Sequence, residues 1–306
     1  MRIFRGFEEL SGIKNPVVTT GSFDGVHIGH KTILNRLKML AGKYDGESVL
    51  ITFYPHPRKV LYPETAGKDL KLINTQEEKL ELLRKAGLDN VIIVEFTRDF
   101  SRITCEQFVS EYLSGILKTK VIVVGFNHHF GFNQEGDYKH LWNWREKYNF
   151  EAEEIPEQEV QHETVSSTKI RKAIKEGYIQ RANAYLDHYY LVMGTASEDY
   201  IPDLTDRMRF LWIPVTEENK LLPSPGLYAV SVLSQKTASK GMVFISQETE
   251  NTKGLIVNIF ENEDQFPGEK CSVLFHKKIH DSLKSGDSHF ECRLQSAREE
   301  ISELIY

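Results

Sequence analysis

Apolar side chains recur with two different periods along this chain. In the first half they alternate between strand-like runs and helical stripes. Pro16–Thr20 is a short β-rich run. His30–Lys43 then carries Ile33, Leu34, Leu37 and Leu40, which share one face of a helix. Ser48–Tyr54 reads as a strand, and Thr75–Ala86 as a helix with Thr75 as N-cap, Glu78 three residues later and Gly87 as the stop. Val91–Val94 is a buried strand, Thr104–Leu117 a capped helix and Val121–Val124 a further strand. Asp137–Tyr148 reads as a helix, Glu151–Ile155 as a strand, and Ser167–Glu176 as a helix closed by Gly177. Strands alternating with helices predict parallel βαβ units, and so an α/β domain with a doubly wound parallel sheet.

After about His188 the helices drop out. Tyr189–Met193, Phe210–Pro214, Gly226–Leu233, Gly241–Ser246, Gly254–Phe260 and Lys270–Lys278 read as strands separated by turn-prone residues. That spacing predicts a small antiparallel β-barrel. In the mixed tail Ser288–Tyr306, Leu294, Ile301 and Leu304 predict a terminal helix packed on the barrel. The expected domains are therefore 1–187 and 188–306, without repeats or a low-complexity linker.

Composition narrows the function classes. The 306 residues are 40% hydrophobic and 27% charged, as in an ordinary soluble globular protein. The net charge of -6 disfavours a broad nucleic-acid surface, while leaving room for a local basic pocket. Apolar runs such as Val121–Val124 fall far short of the roughly 20 residues that cross a bilayer. The segment Met1–Gly6 lacks the apolar core of a signal peptide. Cys105, Cys271 and Cys292 are widely spaced and form no CxxC pair, which suggests a reducing, cytoplasmic setting. Homo-oligomer formation is left open.

The chemistry concentrates where the first strand runs into Gly21-Ser22-Phe23-Asp24-Gly25-Val26-His27-Ile28-Gly29-His30 and then a helix. Gly21, Gly25 and Gly29 allow close backbone approach to a ligand. A helix start at His30 offers backbone N–H groups and a positive dipole end to phosphate oxygens. His27 and His30 bracket Ile28-Gly29, so both imidazoles can reach the same corner. The plainer alternative is a tight turn with two incidental histidines; the strand–loop–helix context weighs against it.

His27-Ile28-Gly29-His30 resembles the HxGH signature of the nucleotidyltransferase superfamily, whose domains are Rossmann-like. The wider string from Gly21 resembles the adenylyltransferase module of the prokaryotic bifunctional riboflavin kinase/FMN adenylyltransferase (FAD synthetase) family. Three more segments are similar to that family. Thr52-Phe53-Tyr54-Pro55-His56-Pro57-Arg58 resembles its TF-x-PHP-R segment, and Val124-Gly125-Phe126-Asn127-His128-His129-Phe130-Gly131 its flavin-site loop. Ser166-Ser167-Thr168-Lys169-Ile170-Arg171 resembles the SST-x-IR motif that closes its ATP site. All four follow family order and cover most of residues 1–187.

The resemblance implies transfer of AMP from ATP to FMN, giving FAD and pyrophosphate, with ATP and FMN as small-molecule partners. Mg²⁺ is implied by the triphosphate chemistry and not by a visible carboxylate cluster. The implied catalytic set is His27, His30, Asn127, Ser167, Thr168 and Arg171. The histidines serve the phosphates, Ser167 and Thr168 donate to the β- and γ-phosphates, Arg171 supplies a cation, and Asn127 lies beside the transferred phosphate. Gly21, Ser22, Phe23, Asp24 and Gly29 would hold ATP. Phe53, Pro55, His56, Pro57, Arg58, Asn127, His129 and Phe130 would hold the flavin. Plainer readings stand beside these roles: an N-cap for Ser167 and Thr168, a turn residue for Asn127, and a rigid loop for Pro55–Pro57. Phe132 and Gln134 occupy places where the family carries basic residues; this implies either weaker binding of the FMN phosphate or other basic residues, such as Arg58 or Lys59, in their place.

The barrel resembles the family's riboflavin kinase domain in its frame. Lys220-Leu221-Leu222-Pro223-Ser224-Pro225-Gly226-Leu227-Tyr228-Ala229-Val230 is similar to its KLLP…GVYAV segment, and Gly254–Phe260 and Gly268–Phe275 follow in order. The kinase motifs do not follow. The GxxGFPTAN loop is expected within Thr195–Pro214, where Asp203-Leu204-Thr205-Asp206-Arg207-Met208-Arg209 stands. Met242–Ser246 lacks the NIG-x-RPTF segment, and Ile256 falls where the general-base Glu belongs; an isoleucine accepts no proton. The expectation is an FMN adenylyltransferase whose barrel has lost kinase activity and is kept for stability, assembly or flavin contact. The alternatives are a bifunctional enzyme with an atypical kinase site, a non-catalytic flavin- or nucleotide-binding paralogue, and a nucleotidyltransferase for another acceptor.

Overall fold

The computed structural model describes residues 1–157, 159–160, 163–198, 208–246, 254–281 and 290–305. The stretch 199–207, where most of the expected kinase phosphate loop would fall, and the start of the tail, 288–289, lie outside the described residues. Two compact units are present: Met1–Leu70 with Lys79–Val165, and Lys71–Glu78 with Ser166–Tyr306.

The first unit is built on six parallel strands: β1 (Arg2–Arg5), β2 (Val17–Thr20), β3 (Ser48–Tyr54), β4 (Asn90–Glu95), β5 (Val121–Gly125) and β6 (Glu151–Ile155). Their order across the sheet is β1-β4-β3-β2-β5-β6. Alternation decides which helix covers which face. Val17, Leu50, Val91, Val121 and Val123 pack with Leu34, Leu37 and Leu40 of α1 (Ile28–Lys43) and Leu83 of α3 (Gln76–Lys85). Val18, Val49, Ile51, Ile92, Ile122 and Val124 face Phe108, Val109 and Leu113 and, beyond them, Leu141 of α5 (Tyr138–Tyr148). That is the doubly wound architecture the sequence predicts.

Differences from the expected elements are local. The edge strand β1, with one buried position in four, was too short to show a period. The helix α2 (Pro57–Leu61) has no buried residue and so left no apolar stripe. The Thr104 helix begins as α4 (Cys105–Gln107) under a full capping box, then widens into a π-helical stretch at Phe108–Ile116. α1 starts two residues before the expected His30, with His27 as an extended N-cap.

The second unit contains α6 (Ser167–Lys175), α7 (Ile179–Leu186) and the strands β9 (Tyr190–Thr195), β10 (Leu211–Pro214), β11 (Gly226–Leu233), β12 (Ala238–Ile245), β13 (Gly254–Ile259) and β14 (Lys270–His280). β7 (Glu159–Val160) and β8 (Glu163–Thr164), a small hairpin, belong to the first unit. The antiparallel order β10-β13-β12-β11-β14-β9 is nearly closed, because Ser197, just past β9, exchanges two backbone hydrogen bonds of 2.8 Å with Trp212 of β10. α7 is tied to the barrel through Asn183, which donates to Phe275 O at 2.8 Å and accepts from Tyr190 N at 2.7 Å. The terminal helix α8 (Phe290–Leu304) lays Phe290, Leu294, Ala297 and Ile301 on Leu227, Ala229, Met242, Phe244 and Ile256.

Candidate active site

Strand order places the first part of the site. The order in which strands are added reverses between β2 and β5, and ligands of open α/β sheets sit in the crevice past the carboxyl ends of such strands. The chain leaves β2 into Gly21–His27 and leaves β5 into Phe126–Gly131, so both motif loops flank one crevice. Gly125 closes the gap beneath: a side chain there would meet Ile33 Cδ1 of α1 at 3.3 Å.

The loop after β2 is strained. Phe23 and Val26 adopt φ of +49° and +42°, the latter unusual for a β-branched residue, while Gly25 takes +96°. Such residues cost of order 1–3 kcal/mol each and persist where surrounding structure enforces them. The result is a stack. His30 is sandwiched between Phe23, ring centroids 4.3 Å apart, and His27, at 3.6 Å, with both pairs close to parallel. The spacing of three residues across Gly29 puts the two imidazoles on adjacent positions of the first helical turn. Phe23 and Asp24 are buried, so the Phe23 ring serves as a floor for His30. His30 Nδ1 is buried and has no hydrogen-bond partner in the protein. Burial first, then His27 and Lys79, push the His30 imidazole well below its usual range, so it is neutral at pH 7.

The residues of the Thr52–Arg58 and Val124–Gly131 segments follow the same edge. Past β3, His56 caps α2, its Nδ1 accepting from Arg58 N at 3.2 Å, and Arg58 is exposed. Past β5, Asn127 and His129 are exposed, while Phe130 is half-buried. This loop is pinned to the start of α4. Phe132 N donates to Ile103 O at 2.8 Å, and Cys105 N donates to Glu135 Oε1 at 3.0 Å. Gly131, at φ +78°, lies so close that a Cβ would meet Cys105 N at 2.5 Å. Phe53 and Phe130 are joined through an aromatic chain the sequence reading missed. Phe53 meets Phe96 at 5.5 Å and Phe100 at 5.9 Å, Phe100 meets Phe108 at 6.3 Å, and Phe108 meets Phe130 at 6.2 Å. The available signal was the run Glu95–Phe100, with two aromatics just past a strand end.

His128 lies in the Val124–Gly131 motif loop, although the sequence assigns it no role. Burial first, then His129, lowers its imidazole to about 4, and its Nε2 is buried without a protein partner. Two histidines are thus held neutral in the fold while the unfolded chain protonates near pH 6.5. The unfolded state then binds more protons, so the first unit loses stability as the pH falls from about 6.5 toward about 4. Urea unfolding followed across that range is expected to show a falling midpoint, and His128→Phe to flatten the decline.

Ser167, Thr168 and Arg171 belong to the second unit. The N-cap of α6 is Ser166, whose Oγ accepts from Lys169 N at 3.4 Å; this places Ser167 and Thr168 in the first helical turn. Arg171 donates from Nε to Lys71 O at 2.9 Å. In the barrel, Ile256 is buried in the apolar cluster with Trp212, Phe244 and α8. Among the described residues no group of three or more His, Cys, Asp or Glu could hold a metal ion, and no helix is long and apolar enough to cross a membrane.

A parallel sheet with an HxGH corner at its switch point defines a nucleotidyltransferase domain, and comparison with known proteins gives the family. The FAD synthetase family model matches residues 11–169, and the riboflavin kinase model matches residues 212–289. A bifunctional riboflavin kinase/FMN adenylyltransferase of Listeria monocytogenes is 30% identical over 278 residues, covering 88% of this chain and 86% of that one. A protein named FAD synthetase from the same organism is 31% identical over 232 residues, covering 74% of this chain and 87% of that one. A crystal structure titled macrolide-efflux protein, from Streptococcus pneumoniae, superposes with a TM-score of 0.85 at 23% identity over 100% of this chain and 99% of that one, a likeness of fold. This chain belongs to the bifunctional riboflavin kinase/FMN adenylyltransferase (FAD synthetase) family, and both family domains are present.

Proposed function

We propose that this chain makes FAD by adenylyl transfer. A phosphate oxygen of FMN attacks the α-phosphorus of ATP, and the bond to the bridging oxygen of the leaving pyrophosphate breaks. Such transfers need positioning and charge stabilisation more than covalent work by the protein. The observation that carries the reading is the His27–His30 stack at the start of α1, set in the crevice between the β2 and β5 loops. A neutral, stacked His30 can donate one N–H to a phosphate oxygen, and the helix start adds backbone donors and a positive dipole end. We assign His27 the same duty, Asn127 to the transferred phosphate, and Ser167, Thr168 and Arg171 to the β- and γ-phosphates. Gly21, Ser22, Asp24 and Gly29 would shape the ATP side. Phe53, Pro55, His56, Pro57, Arg58, His129 and Phe130 would line the flavin side, with Phe96 and Phe100 behind Phe53. The described residues offer no carboxylate cage for Mg²⁺. Bound with ATP, the ion would supply charge neutralisation at the triphosphate.

For the barrel, the match of the riboflavin kinase model and the two-activity name of the Listeria relative back a bifunctional enzyme over the expected loss of kinase activity. One observation favours the single-activity reading: Ile256 lies in an apolar cluster and offers no proton acceptor. A single incubation separates them. With FMN, ATP and Mg²⁺, chromatography is expected to show FAD and pyrophosphate. With riboflavin in place of FMN, the bifunctional enzyme yields FMN and then FAD, and unchanged riboflavin leaves adenylyl transfer alone. Binding of FMN and ATP without any FAD would instead indicate a non-catalytic paralogue.

A further inference from the structure

α3 carries a buried lysine that the motifs do not include. Lys79 is 7% exposed and lies one turn before Leu83, on the face that packs against the sheet. Its Nζ donates to Thr52 Oγ1 at 3.0 Å and to Ser22 O at 3.3 Å, and Thr52 Oγ1 also donates to Ser22 O, at 3.3 Å. Ser22 immediately precedes Phe23, the first residue of the strained turn and the floor under His30. Direct contacts therefore run from the ammonium through Ser22 and Phe23 to His30. Placing an ammonium in a protein interior is costly unless hydrogen bonds compensate it, and an apolar side chain would fill this helix face more cheaply.

We propose that Lys79 is a positioning residue for adenylyl transfer: its ammonium braces the Ser22 carbonyl, fixes the Phe23–Val26 turn, and sets a positive charge behind His30. The inference rests on the adenylyl-transfer reading above. Lys79 acts on the reacting atoms indirectly, through Ser22, Phe23 and the field at His30. Burial first, then the charges of His27, from the same helix start, and of Lys79, from α3, lower the His30 imidazole. An uncharged brace would hold the turn but leave His30 more basic, and a loose turn would let His30 rotate out of the stack.

The test compares Lys79→Met and Lys79→Arg in the full chain by two readouts. The first is the titration of His30 followed by NMR in the free protein, which needs no substrate. Lys79→Met is expected to raise it by roughly 0.5–1 pH unit, the lower end of effects from a nearby charge, and Lys79→Arg to leave it in place. The second is FAD formation, where Lys79→Met is expected to lower kcat/KM for ATP about 10–100-fold with the KM for FMN little changed, and Lys79→Arg to restore part of the loss. A folded Lys79→Met protein with a wild-type His30 titration, or with wild-type kcat/KM, overturns the proposal. Should Lys79→Met fail to fold, Thr52→Val removes one partner and keeps the charge. It is expected to lower turnover without moving His30, and wild-type turnover overturns the proposal. Wild-type protein that makes no FAD sinks the adenylyl-transfer reading instead, and the NMR titration distinguishes that failure from a failure of Lys79.

Discussion

Replacing His30 by alanine is expected to cut FAD formation by about two orders of magnitude or more, the size typical of losing one transition-state donor, or roughly 2.7 kcal/mol. On the proposed reading the loss falls on kcat and not only on ATP binding. Negative charge is rearranged at the α-phosphorus during the reaction, so a donor fixed beforehand is worth more in the transition state than in the ground state. His30 is fixed from both faces, by Phe23 and His27. Alanine removes the donor and empties the space between two rings. Steady-state kinetics should be paired with thermal unfolding, because the lost stacking also costs stability. His30→Asn, which keeps a donor, should fall between wild type and alanine in kcat. Wild-type turnover in His30→Ala would remove the histidine from the mechanism.

The second large effect concerns stability within the second unit. Glu78 and Lys220 form an ion pair at 2.6 Å with both side chains fully buried. Lys220 Nζ also donates to Ile73 O and Leu191 O, each at 2.7 Å, and lies over the Tyr190 ring. Glu78 accepts from Thr75 N at 2.8 Å and from Met193 N at 2.9 Å. All three ammonium protons and both carboxylate oxygens are thus engaged. Removing one partner strands the other charge in a dry interior, which costs about 3–5 kcal/mol. Lys220→Met is therefore expected to lower the melting temperature of this unit by roughly 10 °C. Replacing both residues, Glu78→Gln with Lys220→Met, should recover much of the loss, because no charge is then left unpaired. A single variant as stable as wild type would mean that water reaches the pair.

These two sites show how far the sequence could be read. The cap was visible: Thr75 and Glu78 stand three apart ahead of an apolar stripe, and their backbone bonds form as that spacing predicts. The ion pair was not, because its partner lies 142 residues away and no local period links them. The HxGH corner was visible as a motif, since strand, loop and helix are consecutive. The stack within it was not, because it depends on positive φ at Phe23, a conformation that a phenylalanine does not announce. Likewise Phe96 and Phe100 show only as aromatics past a strand end, His128 only as one position of a motif loop, and Lys79 as one more charge on a helix.

By itself the sequence determined two architectures, a doubly wound parallel sheet and an antiparallel barrel. Periods of 3.6 and 2 follow from the backbone and survive whatever the elements pack against. It also determined the four family segments, because each is a short run whose chemistry is local. Only the tertiary structure decided that the β2 and β5 loops share a crevice, that His30 lies between two rings with a lysine behind it, and that Glu78 closes on Lys220. Those arrangements depend on strand order, strained dihedrals and burial, none of which has a period along the chain.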